Sequence, residues 1–253
     1  MVEDSTVTSD RPVTVAGVRV DSFTTASLTA RVIEMATTDG VDVAIGVNAH
    51  VCNQARHDAE FSQLLAAATT YADGQSIVWA ARLLGGHLPE RLATTDVAIS
   101  ILEAAAEAGI PTYFLGASAG VAEEAARRLR AAIPGLQLKT HDGYFPPAES
   151  EDVLADIEAF STGILFVGMG DPTQQLWIDA HRSHLPPAVL TCGGLFDWLS
   201  GSNPRAPRWM IRAGLEWLWR LGLEPRRLGR RYLLGNPAFI AATLRQHFTV
   251  YKP

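Results

Sequence analysis

The stretch Ile164-Leu165-Phe166-Val167-Gly168-Met169-Gly170-Asp171-Pro172-Thr173-Gln174-Gln175 holds the pattern that decides the fold. Four consecutive apolar residues, too short a run for a buried helix, lead into a glycine-bearing turn. Proline then stands at the start of a helical segment, where its missing N–H is no loss. The unit recurs: Thr112–Leu115 runs into Gly116-Ala117-Ser118-Ala119-Gly120 and a helix from Val121 to Ala132, and Ala188–Thr191 runs into Cys192-Gly193-Gly194. Apolar runs without polar alternation belong to strands covered on both faces, and helices of about a dozen residues between them imply parallel crossovers. The expectation is an α/β fold, a Rossmann-like parallel sheet sandwiched by helices.

Working outward, Val13–Val20 alternates around Ala16-Gly17 and predicts an N-terminal β-hairpin after about a dozen disordered residues, 1–12. A helix capped by Thr24 or Thr25 extends to about Thr37, Asp42–Asn48 is a buried strand, and a helix over about Asp58–Ala68 precedes a strand ending at Tyr71-Ala72-Asp73-Gly74. Helices follow over Gln75–Leu84 and Asp96–Ala108. Beyond Ala132 come strand Gln137–Thr140, helix Glu149–Phe160, strand Ile164–Val167 and helix Gln174–His184. The α/β domain therefore covers 13–202. From 203 to 253 strands stop: Pro204 and Pro207 mark a boundary, a helix runs Trp209–Leu221 with Arg212, Glu216 and Arg220 on one face, Glu224-Pro225 starts a second basic segment through Arg231, and Asn236-Pro237 starts a third helix. Some fifty residues bury too little surface to stand alone, so this end is a helical appendage.

The 253 residues are 47% hydrophobic and 19% charged, the composition of an ordinary globular chain. Cys52 and Cys192, 140 positions apart, cannot form a disulfide framework and suit a reducing cytoplasm. No apolar run approaches the ~18 residues of a membrane span, and the first residues carry no basic, apolar export signal. The net charge of −6 is unevenly spread, because 203–253 carries +8 and the remainder −14. An acidic body with an arginine- and tryptophan-bearing end suits contact with a phosphorylated ligand, a lipid headgroup or nucleic acid; the plainer reading is a solvated helix face. With no nucleic-acid motif in the chain and an acidic body, nucleic acid is disfavoured. Trp209, Trp217 and Trp219 beside arginines suit a lipid interface, or else pack on the sheet domain.

In an open α/β sheet ligands settle beyond the carboxyl ends of the strands. The loops there are Ala72-Asp73-Gly74, Gly116 to Gly120, His141-Asp142-Gly143-Tyr144, Gly168-Met169-Gly170-Asp171 and Cys192-Gly193-Gly194. Glycines at such points let backbone N–H groups approach a phosphate, or simply close a tight turn. Gly116 to Gly120 also fits G-x-S-x-G, the strand-turn-helix setting of a hydrolase serine, with Asp197 and His247 as partners for Ser118. No oxyanion-loop motif precedes it, so a phosphate or nucleotide cradle is the preferred reading. Gly168 to Thr173 is only a partial dinucleotide fingerprint. Asp73 is the leading candidate for a catalytic carboxylate, at a strand tip before a glycine; the competing role is N-cap of the helix from Gln75. Arg91 and Asp96 either bind a polar ligand or form an ordinary pair. No D-x-D and no metal-ligand spacing occurs, so a bound diphosphate is expected to be neutralised by arginines and N–H groups.

Together these residues resemble the WecG/TagA/CpsF glycosyltransferases (glycosyltransferase family 26) over roughly Val13–Ile240. The resemblance rests on Asn48-Ala49-His50, Ala72-Asp73-Gly74, Glu90-Arg91 to Asp96, Gly116 with Gly120-Val121-Ala122, Asp142-Gly143-Tyr144-Phe145 and Val167-Gly168-Met169-Gly170 with Pro172 and Gln174. It continues through Gly193-Gly194 with Phe196-Asp197, Arg205-Ala206-Pro207, Glu216-Trp217-Leu218 with Arg220, Glu224-Pro225 with Arg227, and Arg230-Arg231-Tyr232.

The resemblance implies an inverting, metal-independent enzyme that moves a sugar from a UDP-sugar to a polyprenyl-diphosphate-linked sugar at the inner face of the cell membrane, in cell-surface polysaccharide or teichoic-acid-type synthesis. UDP-sugar would be a co-substrate, with no cofactor. Asp73 matches the general base; Asn48, Arg91 and Gln174 match the sugar site; Arg220, Arg227 and Arg230 match arginines that close over the diphosphate and help membrane docking. Gly116, Gly120, Asp142, Gly143, Tyr144, Gly168, Gly170, Gly193 and Asp197 complete the expected substrate-binding set. Self-association through the appendage is a further expectation. The chain departs from the family pattern at Gly46, where Thr is common, at Thr94, where Gly is usual, and at Ala117 and Gln175, and the donor sugar stays open.

Overall fold

A computed structural model describes residues 11–250, with the side chains of Arg227 and Val250 outside that description. The expected disorder of the first dozen residues lies almost wholly outside it. The chain opens with an antiparallel hairpin, β1 (Val13–Val15) and β2 (Val18–Val20), in which Val13 faces Val20. Its turn requires positive φ at two residues, Ala16 (φ 49°) and Gly17 (φ 87°). The Ala16 N–H donates to Gln246 Oε1 at 2.7 Å, and Gln246 Nε2 donates back to the Thr14 carbonyl at 2.8 Å, so the far end of the chain holds the hairpin.

Then come α1 (Thr25–Met35), β3 (Asp42–Val47), α2 (Ala49–Ala55), α3 (Ala59–Ala66), β4 (Thr69–Ala72), α4 (Gln75–Leu83), α5 (Thr94–Glu107) and β5 (Thr112–Gly116). The second half continues with α6 (Val121–Ala132), β6 (Leu138–His141), α7 (Ser150–Ala159), β7 (Ile164–Gly168), α8 (Thr173–Ala180), β8 (Ala188–Thr191) and α9 (Leu195–Leu199). Four helices close the described chain: α10 (Arg208–Arg212), α11 (Glu216–Leu223), α12 (Pro225–Leu233) and α13 (Gly235–Val250). Thr24 caps α1 by accepting from the Ser27 N–H at 3.1 Å. No helix among the described residues is long and apolar enough to cross a membrane.

Six strands form one parallel sheet in the order β4-β3-β8-β7-β5-β6. Alternate residues of each strand feed two cores. Ile45, Val47, Leu165, Val167 and Val189 pack on one face with the hairpin, α2, α4 and α13, whereas Ala44, Phe114, Phe166 and Leu190 pack on the other with α1, α5, α6 and α9. Both faces are thus covered, as the unbroken apolar runs require. β3 leads into α2 on one face and its neighbour β8 into α9 on the other, and a crevice opens at such a divergence of connections.

Three features differ from expectation. The short helices α2 and α9 were not anticipated. α8 ends at Ala180, where the His181 ring nitrogen Nδ1 reaches the Trp177 carbonyl at 2.8 Å, and a 3₁₀ turn takes Arg182–His184. The helix expected over Trp209–Leu221 is broken into α10 and α11 at Gly214, which has φ 70°. A Cβ at Gly214 would stand 2.8 Å from the Trp79 ring and 3.0 Å from Gln75 Cγ, so close approach to α4 decides the break. Arg212 consequently lies on a different helix from Glu216 and Arg220. α13 docks on the sheet domain through Phe239, 3% exposed, while Asn53 of α2 donates to the Gly235 carbonyl at 2.7 Å.

Candidate active site

The carboxyl ends of β3, β4, β7 and β8 open into a cleft of about 840 Å³, roofed by α11, α12 and α13. Asn48, Asp73, Arg91, Gly170, Gln174, Gly193, Asp197 and Arg220, all expected at a site, are brought together in its wall.

Asp73 follows β4, its N–H donating to the Val47 carbonyl of the neighbouring strand at 3.0 Å. Its carboxylate does not cap α4, whose N-cap is Gly74 with no side-chain bond. Asp73 Oδ1 instead accepts from the Thr94 N–H at 2.9 Å and the Thr94 hydroxyl at 3.1 Å, and so serves the first N–H of α5. On the other side Asn48 Nδ2 stands 3.4 Å from Asp73 Oδ2. Asn48 is itself oriented, because its Oδ1 accepts from the His50 and Val51 N–H groups at 3.0 and 3.2 Å as the N-cap of α2. The half-buried carboxylate is therefore aimed, with Oδ2 the less occupied oxygen.

Arg91 pairs with Glu216 of α11 at 3.0 Å, with side chains only 13% and 11% exposed, and lies 3.6 Å from Asp96. Asp96 also receives Arg205 at 2.6 Å. This charged seam joins the sheet domain to the appendage. Arg220 lies over the Trp198 ring, 5.0 Å from its centre, and 3.9 Å from Glu216; Arg231 lies 3.8 Å from Asp171. Among the described residues, the Nε of each guanidinium is buried without a hydrogen-bond partner. Two cationic forks thus stand in the cleft wall, the chemistry that holds a diphosphate. Burial, then Arg231, pushes the His50 imidazole below its ordinary value while Asp171 opposes them.

Gln174, 3% exposed, spans two loops: its Nε2 donates to Asp171 Oδ1 at 2.7 Å and its Oε1 accepts from the Gly193 N–H at 3.1 Å. Gln175 donates to the same carboxylate oxygen at 2.7 Å.

The WecG/TagA/CpsF glycosyl transferase family model matches residues 13–253. The chain belongs to this family. Among its relatives is the N-acetylglucosaminyldiphosphoundecaprenol N-acetyl-β-D-mannosaminyltransferase of Bacillus spizizenii, to which this chain is 33% identical over 183 residues, 72% of this chain and 70% of the relative.

Other expected residues of this WecG/TagA/CpsF member stand apart from the cleft wall. Gly116, Gly120, Asp142, Gly143, Tyr144 and Gly168 lie further along the same sheet edge, at β5, β6 and the end of β7. There the glycines let backbones touch: a Cβ at Gly116 would lie 2.4 Å from the Gly168 carbonyl oxygen, and one at Gly143 2.8 Å from Gly116 Cα. Glu123 and Glu124 occupy the first turn of α6, Glu123 paired with Arg130 at 3.1 Å and Glu124 with Arg127 and Arg128 at 2.7 Å each. Ser118 precedes α6 on one face of the sheet, whereas His247 sits on α13, which packs on the other; the hydrolase triad has no support here. Arg230 is exposed outside the cleft wall, and the Arg227 side chain lies outside the described residues.

Sequence reasoning passed over Arg231, Glu216, Asp171, His50 and Thr94 as site residues. Helical phase offered a signal for Arg231, three positions beyond the apolar Leu228, which is 4% exposed. Glu216 carried no such signal, since its partner Arg91 is remote in sequence.

Proposed function

We propose that this glycosyltransferase moves a sugar from a UDP-sugar to a saccharide carried on a polyprenyl diphosphate, with inversion and without a metal ion. The acceptor hydroxyl oxygen attacks the anomeric carbon as the bond from that carbon to the UDP oxygen breaks, and the electron pair leaves with UDP. The acceptor proton passes to Asp73 Oδ2. Arg220 and Arg231 neutralise the departing diphosphate. The observation that carries the reading is an aimed carboxylate, Asp73, in one cleft with the guanidinium groups of Arg220 and Arg231. The activity for which the Bacillus relative is named, transfer of an N-acetylmannosaminyl group to a diphosphoundecaprenol-linked N-acetylglucosamine, supports a lipid-linked acceptor here.

Peripheral attachment to the inner membrane face follows from the same reading. Trp209, Leu233, Leu234, Ile240 and Phe248 of the appendage are exposed, as are Arg226, Arg230 and Arg245, a pairing of apolar and basic surface suited to anionic lipid. The expected lipid-facing tryptophans divide: Trp209 is 64% exposed, Trp219 donates to the Pro204 carbonyl at 3.0 Å, and Trp217 packs edge-on against Tyr232 at the cleft.

The decisive experiment incubates the protein with a panel of UDP-sugars and a prenyl-diphosphate N-acetylglucosamine acceptor, in metal-chelated buffer, and reads the product by mass spectrometry and its anomeric configuration by NMR. Disaccharide of inverted configuration is expected; retention, or strict dependence on added divalent cation, sinks the mechanism.

A further inference from the structure

We infer that Thr94, ordered by Tyr71 and given room by the bare backbone of Gly46, is a positioning residue for Asp73 and selects Oδ2 as the atom that takes the acceptor proton. This rests on the general-base reading above and specifies how that base is aimed. An ionised carboxylate only accepts, so the Thr94 hydroxyl donates to Asp73 Oδ1 across 3.1 Å. Its oxygen then accepts from the Tyr71 hydroxyl, 2.9 Å away. Burial, and then the Asp73 charge, hold the Tyr71 phenol far above its ordinary range, so it remains a donor. Hydrogen bonding thus runs one way, from Tyr71 through Thr94 to Oδ1.

The Thr94 N–H, 2.9 Å from the same oxygen, adds a second donor at the amino end of a 14-residue helix, where the helix dipole favours negative charge. With Oδ1 engaged twice, the proton-accepting lone pair is on Oδ2, beside the long 3.4 Å contact to Asn48. Gly46 completes the arrangement by its lack of a side chain. A Cβ there would stand 3.0 Å from Asp73 Cβ, 3.1 Å from the Tyr71 hydroxyl oxygen and 3.2 Å from Thr94 Oγ1, so even alanine pushes against all three. Gly46 has no positive φ, so space and not backbone conformation demands glycine.

The test compares Thr94→Val, Thr94→Ser and Tyr71→Phe in the full chain, using the UDP-sugar and acceptor that the wild type turns over. Thr94→Val should lower kcat about tenfold, the worth of one hydrogen bond to a charged group, with donor KM unchanged. Thr94→Ser should restore kcat to within about twofold, because it keeps the hydroxyl. Tyr71→Phe should lower kcat by a smaller factor at unchanged affinity for UDP, and it carries the test should Thr94→Val fold poorly. Wild-type kcat in Thr94→Val or in a folded Tyr71→Phe, or a loss that serine does not repair, overturns the inference. Asp73→Asn separates the two ideas: if it stays active the general base is wrong, whereas if it is dead while Thr94→Val is fully active only the positioning role falls.

Discussion

Arg91, before α5, and Glu216, at the start of α11, meet at 3.0 Å across 125 positions of sequence. The contact makes a cleft wall out of two parts of the chain that share no local pattern. Because the pair is mostly buried, removing one partner leaves a charge with little solvent, and that penalty exceeds the net worth of the pair.

Glu216→Ala is therefore expected to destabilise the fold by about 3 kcal/mol, read as a lowered melting temperature. Pairing it with Arg91→Met should recover part of the loss, since neither charge is then stranded. Additive losses in the double variant would show that the two side chains are not energetically coupled.

Asp73→Asn keeps the shape of the side chain and removes its basicity. Transfer should fall by about 10²- to 10⁴-fold, with UDP affinity by calorimetry and the melting curve nearly unchanged. Wild-type turnover in this variant would mean that another group takes the acceptor proton.

The two neighbouring arginines of α12 should behave differently. Arg231→Ala removes a guanidinium from the cleft wall and should weaken UDP binding by about tenfold or more, the scale of a charge-assisted hydrogen bond. Arg230→Ala, on the exposed side, should leave UDP binding intact and reduce association with anionic vesicles. Equal effects on UDP binding would contradict the helix phase described above.

His50 supplies a pH signature. Its folded value lies below the ordinary 6.5, through burial first and Arg231 second. The unfolded chain thus binds the His50 proton more readily than the folded one, so folded stability rises with pH through this window and declines as pH falls below about 6.5. Denaturant titrations at pH 7.5 and 5.5 should show this decline in the wild type and a shallower one in His50→Gln. An identical pH slope in the two proteins would remove His50 from the account.

Much of the architecture was readable without coordinates. The helix Val121–Ala132 and the strand Ala188–Thr191 have the expected ends, and β5 and β7 each run one residue further than expected. Buried parallel strands announce themselves by unbroken apolar runs, and their carboxyl ends carry the loops that became the cleft. The helices α2 and α9, of seven and five residues, are too short to establish a period. The break at Gly214 was hidden inside an amphipathic pattern, and the Trp79 ring that enforces it belongs to a distant helix.

The order of residues alone thus determined the layered sheet, the strand tips that hold Asn48 and Asp73, the helix start that holds Gln174, and the basic character of the final fifty residues. Tertiary structure decided which strand tips share a cleft, which arginine of an adjacent pair enters it, and that Thr94 and Glu216 belong to the site. The division has a physical cause. Strand and helix patterns are written in near-neighbour burial, whereas the pairing of Arg91 with Glu216 and the aim of Asp73 depend on how whole elements dock, a property carried by contacts between residues far apart in sequence.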